Sequence, residues 1–383
     1  MKPIYLDYNA TTPVDPRVVD AMKPFFTEKI GNPSSNTHAF GWEAAETVEI
    51  ARESIAKNIG AENKKTIIFT SGATESNQLA IKNLVHSAGK KVHLITQKTE
   101  HKCVLDACTE MEKEGHEVTY LDVDKDGKVN PQEVLKAMKP NTLLCSIMLA
   151  NNEIGTIQPI REISKICHEK GVWLHSDAVQ AVGKIPVDVQ KDGIDLMSLS
   201  GHKIYGPKGI GALYISKKIP IRTFHRPGTL NVPGIVGLAK ALEIAMAELP
   251  TEQKRLRGLQ DRLMTELLKL EGAHLNGPKS ERLPNNLNFS FDFVKNDDLI
   301  TAVPELAIAS GSACASDLPE PSYVIRAITT DENRLNGAIR MGLGRGTTRE
   351  DIDKANQLIA KAVGKLRKEK IWLKDNASPK SDR

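Results

Sequence analysis

One lysine stands in a setting that suits covalent chemistry. Lys203 lies in the stretch Ser198-Leu199-Ser200-Gly201-His202-Lys203-Ile204-Tyr205-Gly206-Pro207-Lys208-Gly209-Ile210-Gly211. The apolar run at 194–197 before it reads as a buried strand, and the run at 210–215 after it reads as another. Gly206-Pro207 between them marks a turn. A lysine confined there, near other cations, can lose its proton and then act as a nucleophile or form a Schiff base. A solvated loop lysine is the alternative reading, so the neighbours must decide.

Several other groups carry possible chemistry, each with a plainer reading beside it. In Ser71-Gly72-Ala73-Thr74-Glu75-Ser76-Asn77, small residues at a strand-to-helix turn let backbone N–H groups approach an anion. The Thr74 hydroxyl and the helix N-terminus favour a phosphate there, although Ser71 or Thr74 can equally be a simple cap. Asp177 follows the strand-like run 172–175. A carboxylate at that position can keep a pyridine nitrogen protonated, or cap the next turn. Gln180, three residues on, can reach the same ligand. His101 falls at another strand exit, where an imidazole can stack on an aromatic cofactor and move protons, or lie at the surface. Asn151-Asn152 after the strand ending at Leu149 can hydrogen-bond a ring oxygen, or serve the turn. Ser310-Gly311-Ser312-Ala313-Cys314-Ala315-Ser316 surrounds one thiol with small residues, which suits a mobile nucleophile, whereas a free cysteine is otherwise usually buried. Arg340 sits in the apolar segment Ala338-Ile339-Arg340-Met341-Gly342-Leu343 and needs an anionic partner there, either a substrate carboxylate or an internal acid.

The elements that position these groups alternate. Short apolar strands are expected at 66–70, 92–95, 118–121, 142–149, 172–175, 196–199 and 210–215. Helical patterns fall at 42–59, 75–87 and 101–115 and begin again at Pro131. Such alternation predicts an α/β fold with a mostly parallel sheet covered on both faces, functional groups gathering beyond the strands' carboxyl ends. Near Glu248-Leu249-Pro250 the pattern changes to a charged helix at 251–270 and an alternating strand at 287–291. Two domains are therefore expected: a large one at 16–250, and a smaller α+β one formed by 1–15 with 251–383, carrying Cys314. The polar tail at 374–383 is expected to fray.

Composition narrows the function. The 383 residues suffice for two domains, and a net charge of +4 does not argue for nucleic-acid binding. No apolar run is long enough to span a membrane. The start, Met1 to Asp7, enters a strand-like run directly, so no signal or transit segment is expected. Five cysteines without CxxC spacing point to reduced thiols in a cytoplasm-like compartment and against a zinc site.

Taken together, the chain resembles the pyridoxal-phosphate-dependent cysteine desulfurases of the type that supplies sulfur for iron–sulfur clusters. The likeness runs from Tyr5-Leu6-Asp7-Tyr8-Asn9-Ala10-Thr11-Thr12-Pro13 to Ile339-Arg340-Met341-Gly342-Leu343-Gly344-Arg345. Between them Ser71-Gly72-Ala73-Thr74-Glu75-Ser76, Thr99-Glu100-His101-Lys102, the Lys203 segment and Ser310-Gly311-Ser312-Ala313-Cys314 match in order. The resemblance implies the aspartate-aminotransferase-like fold, homodimers, and pyridoxal 5'-phosphate as cofactor. It implies that Lys203 holds the cofactor as a Schiff base, that His101 stacks on the ring, and that Asp177 pairs with the ring nitrogen. Gln180 and Asn152 would contact the ring oxygen or the substrate. Thr74 with Ala73, Ser200 and His202 would hold the phosphate, joined by Thr229 from the other subunit. Arg340 would bind the carboxylate of L-cysteine. Cys314 would take the sulfur as a persulfide, leaving L-alanine, for delivery to an iron–sulfur scaffold or a tRNA-thiolation carrier.

The pattern departs at one place. The family's Gly-Gly-Gly-(Gln or His)-Glu segment is absent where Tyr214 to Arg226 runs straight into Pro227-Gly228-Thr229. A weakened homologue acting as a sulfur-transfer partner or scaffold, a selenocysteine lyase and an aminotransferase are the competing readings. Lys203, Asp177, His101 and Cys314 together favour the desulfurase, because a scaffold has no need of all four.

Overall fold

The structure is a computed structural model and describes residues 3–219, 228–311 and 321–377. A short β1 (Ile4–Tyr5) precedes the main sheet. That sheet is built from β2 (Ile67–Thr70), β3 (His93–Gln97), β4 (Glu117–Leu121), β5 (Thr142–Ser146), β6 (Trp173–Asp177), β7 (Leu196–Ser200) and β8 (Gly211–Ile215). Their order is β2-β8-β7-β6-β5-β3-β4. All neighbours pair in parallel except β8, which is antiparallel to both β2 and β7. Every residue of β3, β7 and β8 is buried, which is why these strands read as continuous apolar runs rather than alternating ones.

Helices cover the sheet. Helix Lys102–Lys113 buries Val104, Ala107, Cys108 and Met111 against the strands, the spacing of one helical face. Helix Ala39–Asn58 buries Val48, Ala51 and Ile55 in the cluster on the other side. The expected helix at 75–87 is continuous from Ala73 to Ser87, with a wider π turn at Leu79–Asn83. The expected strand at 142–149 ends at Ser146.

The largest difference from expectation lies at residue 250. Helix Val232–Leu267 passes through Pro250 without a break and joins two apolar clusters. Asn231 starts it, its side chain accepting from the Gly234 N–H at 3.0 Å. Pro250 is a local helix breaker that the packing on either side overrides.

The last part of the chain contains β9 (Ala273–Leu275), β10 (Asn286–Phe291), β11 (Leu306–Ala307) and β12 (Ile339–Gly342). Strands β12-β10-β9 form an antiparallel sheet packed on helix Arg349–Ala377. That helix continues through 374–377, part of the tail expected to fray. β1 pairs in parallel with β11, and Leu6 is buried with Phe289, Leu263 and Ile359, so the N-terminal arm packs on the C-terminal sheet.

Candidate active site

The parallel registers bring the carboxyl ends of β2, β3, β5, β6 and β7 to one edge of the sheet. The turn after β2 supplies Ala73 and Thr74, the exit from β3 His101, and the loop after β5 Asn152. The end of β6 supplies Asp177 and Gln180, and the end of β7 supplies Ser200, His202 and Lys203. All nine, with Arg340 from β12, line one cavity of about 370 Å³, a size suited to a small-molecule site. Gly211, the first residue of β8, allows this edge to close: a Cβ there would lie 2.8 Å from the Gly72 Cα.

Lys203 is held by the N-terminal arm. Its Nζ donates to the carbonyls of Asn9 at 2.7 Å and Ala10 at 2.6 Å. Two residues on, Tyr205 adopts a left-handed φ of 64°. That strain is held in place by a Tyr205 N–H bond to Thr12 Oγ1 (2.8 Å), the Arg345 N–H on its hydroxyl (2.7 Å) and the Arg345 guanidinium over its ring.

Asp177 caps the turn that follows its strand and also lines the cavity. Its Oδ1 accepts from the Val179 N–H at 3.0 Å, a cap, while Oδ2 accepts from Asn77 Nδ2 at 2.7 Å at the cavity wall. His101 is likewise a cap, its Nδ1 accepting from the Cys103 N–H at 3.3 Å, and also a cavity residue. Burial lowers its basicity, with Asp177 opposing and Lys203 assisting. His202 is pushed down to about 4, chiefly by burial and then by Lys203, Lys184 and Lys208, so it is neutral near pH 7. Ser71 is occupied by Glu75, whose Oε2 accepts from its N–H at 2.6 Å and its hydroxyl at 2.7 Å. Arg340 is almost fully buried, and Nη2 donates to Asp7 Oδ1 at 2.7 Å while the side chain borders the cavity.

One candidate does not join this lining, and another lies outside the described residues. Thr229 is exposed and outside the cavity. Cys314 lies outside the described residues, as does most of the shortened stretch before Thr229. The flanks of the cysteine segment are described and meet beside the cavity. Ser322 Oγ donates to Glu153 Oε2 at 2.6 Å, and a Cβ built on Gly311 would lie 3.5 Å from the same oxygen. Glu153 adjoins the lining residue Asn152. Sequence reasoning missed Asn9, Ala10 and Thr11, which line the cavity from a segment distant in sequence. It also missed Asn77, a fully buried amide between Asp177 and Cys103. Met148, Val179, Lys208 and Gly209 also line the cavity without having been singled out.

The donor set suits pyridoxal 5'-phosphate. Hydroxyls of Thr74 and Ser200, the ring of His202 and the cation of Lys208 line the cavity and suit an anion; a buried carboxylate, Asp177, faces the same space, and the amine of Lys203 follows the end of β7. Such a parallel sheet with a lysine and a carboxylate at its carboxyl edge defines a pyridoxal-phosphate-dependent transferase of the aspartate-aminotransferase-like fold. A family model, Aminotransferase class-V, matches residues 4–355, and the chain belongs to that family. It is 50% identical to cysteine desulfurase IscS of Rickettsia rickettsii (strain Iowa), over 95% of this chain and 92% of that protein. The same identity holds with cysteine desulfurase IscS of Anaeromyxobacter sp. (strain K), over 95% and 93%. Among solved structures, a NifS-like protein superposes with a TM-score of 0.88 at 38% identity, covering 94% of this chain and 99% of that one. The protein SspA in complex with cysteine superposes at 0.77 with 36% identity, covering 88% and 98%.

Proposed function

We propose that this protein is a cysteine desulfurase that converts L-cysteine to L-alanine and carries the sulfur as a persulfide on Cys314. The observation that carries the reading is the meeting of Lys203, Asp177, His101 and Arg340 in one cavity, beside the flanks of the Cys314 segment. The cofactor, when bound, supplies an electron sink for negative charge at the substrate α-carbon.

The chain's own residues divide the remaining work. Lys203 would tether the cofactor and move protons at its amine. Asp177 would hold a proton on the ring nitrogen. Thr74, the Ala73 backbone, Ser200 and His202 would grip the phosphate, with Thr229 reaching it from a second subunit of a homodimer. Asn152 and Gln180 would orient ring oxygen and substrate, His101 would lie against the ring as a neutral base, and Arg340 would take the substrate carboxylate. The Cys314 sulfur would attack the substrate sulfur as its bond to carbon breaks, leaving alanine and the persulfide.

The same reading includes a sulfur acceptor, an iron–sulfur scaffold or a tRNA-thiolation carrier, and a cytoplasmic setting. One feature supports that setting: the described cysteines 103, 108, 145 and 167 are free and buried. Separate apolar clusters around the two sheets support a large domain at 16–250 and a small one at 1–15 and 251–383.

The test is absorption spectroscopy of purified protein with pyridoxal 5'-phosphate. Addition of L-cysteine should change the bound-cofactor band and release alanine. Lys203→Ala should fold but hold no cofactor that borohydride can fix to the chain. Normal fixation in that variant would refute the assignment.

A further inference from the structure

A second lysine lies under the first. Lys184 is buried, one turn beyond Gln180, and its Nζ donates to Gln180 Oε1 at 2.9 Å. The same Oε1 accepts from Asn9 Nδ2 at 3.2 Å, while Gln180 Nε2 donates to the Asn9 carbonyl at 2.9 Å. That carbonyl also receives the Lys203 ammonium at 2.7 Å. Lys184, Gln180 and Asn9 are therefore a buried hydrogen-bonded chain that ends at the half-buried Lys203, the candidate cofactor-bearing amine.

The charges around Lys184 make its position informative. Lys203 and Arg340 are the cations that act on it. Lys184 and Lys203 also share the wall of a second, small cavity of about 20 Å³, whose charged lining adds Glu248, Glu252 and Arg345. Those carboxylates serve arginines: Glu248 pairs with Arg17 and Arg345, and Glu252 with Arg255. Among the described residues the hydrogen-bond partner of Lys184 is the Gln180 amide. A cation buried this way, beside two others, is costly unless it does something for the site.

We propose that Lys184 is a positioning residue for the Lys203 centre: its amine holds the Gln180 carboxamide in one orientation, and its positive charge favours the unprotonated Lys203 nitrogen. The i,i+4 bond decides the first part, because the amine donates to Oε1 while Nε2 donates to the Asn9 carbonyl, which together fix which end of the amide is oxygen. The second part follows from the repulsion of two cations in a poorly solvated site. Burial, with Lys203 and Arg340, brings Lys184 down to about 7, so its own charge responds to pH near neutrality.

This inference rests on reading Lys203 as the cofactor-bearing lysine. The experiment is a pH titration of the visible band of the protein loaded with pyridoxal 5'-phosphate, for the natural chain and for Lys184→Met, Lys184→Gln and Lys184→Arg. Loss of the charge in the Met and Gln variants should raise the titration midpoint by about one pH unit. The Arg variant, permanently charged, should titrate at or below the natural value. Gln keeps a donor toward Gln180, so it also serves as the folded control should Met fail to load. Unmoved midpoints in Met and Gln, or an Arg variant that rises with them, would overturn the proposal. Peptide mapping of the borohydride-fixed natural protein separates the two readings. A label on another lysine removes the Lys203 assignment, whereas a label on Lys203 with unmoved midpoints removes only the role of Lys184.

Discussion

The Cys103 sulfur lies 3.0 Å from Nδ1 of His101, and the Cys103 backbone N–H donates to that same nitrogen. On its other side the sulfur accepts from Asn77 Nδ2 at 3.2 Å, and Asn77 in turn donates to Asp177. Burial pushes the Cys103 thiol up to about 12, so it keeps its proton at neutral pH and is a donor. With two donors aimed at Nδ1, the neutral His101 ring carries its proton on Nε2.

Nitrogen NMR of histidine-labelled protein checks this. At neutral pH His101 should show an unprotonated Nδ1 and a protonated Nε2. Cys103→Ala removes one of the two donors and should raise the proportion of the other tautomer, while Cys103→Ser should preserve the natural pattern. A natural protein with the proton on Nδ1 would contradict the geometry.

Cys314 offers a separation of chemical stages. Ring chemistry on the substrate does not use its thiol, whereas sulfur capture does. Cys314→Ser should load cofactor and show the first spectral changes with cysteine, yet form no persulfide detectable by mass spectrometry of the intact chain. Undiminished sulfide release by the variant would move the acceptor role to another thiol.

Most of this site was legible because its residues sit at strand ends, where a period change and a turn coincide. Lys203, Asp177 and His101 each follow an apolar run, and parallel pairing alone carries them to one edge. Asn9 and Ala10 were not legible, since their contact with Lys203 joins residues more than a hundred positions apart through backbone carbonyls, which leave no side-chain signature. Nor was the run of helix through Pro250, where packing on both sides outweighs a local breaker. The plainer readings of Asp177 and Arg340 were not wrong either: Asp177 makes a cap and Arg340 an ion pair while each faces the cavity, whereas His101 is half-buried there rather than at the surface.

Glu100 should make stability depend on pH. It is fully buried, with Oε1 accepting from Gln97 Nε2 at 2.8 Å and the Met148 N–H at 2.5 Å, and with no partner on Oε2 among the described residues. Burial, reinforced by Asp177, raises its carboxyl to about 8 against those hydrogen bonds. The unfolded chain gives up this proton in the usual carboxyl range, while the folded chain keeps it. The group's stabilising share is therefore complete below the usual range and is lost as pH rises through the folded value. Glu100→Gln cannot ionise, so its melting temperature relative to the natural protein should climb between pH 5 and pH 8. The gain corresponds to at most about 1.4 kcal/mol per pH unit. A difference that stays flat over this range would show Glu100 ionised in the fold.

Arg340 distinguishes substrate binding from internal pairing. Its backbone is fixed in β12 opposite Asn288, and its N–H donates to the Ala309 carbonyl at 2.6 Å. Asp7 takes one edge of the guanidinium, while the buried Nε has no partner among the described residues. The side chain thus has donors left for a carboxylate in the cavity, and Asp7 holds the fork at the angle that presents them. Arg340→Lys keeps the charge near Asp7 but loses the fork. It should raise KM for L-cysteine roughly 10- to 100-fold, the worth of one charged hydrogen bond, with cofactor loading intact. Asp7→Asn should raise KM less, because the guanidinium stays in place with a weaker anchor. If Arg340 only pairs with Asp7, both variants will lose stability together and leave KM unchanged, and the carboxylate assignment fails.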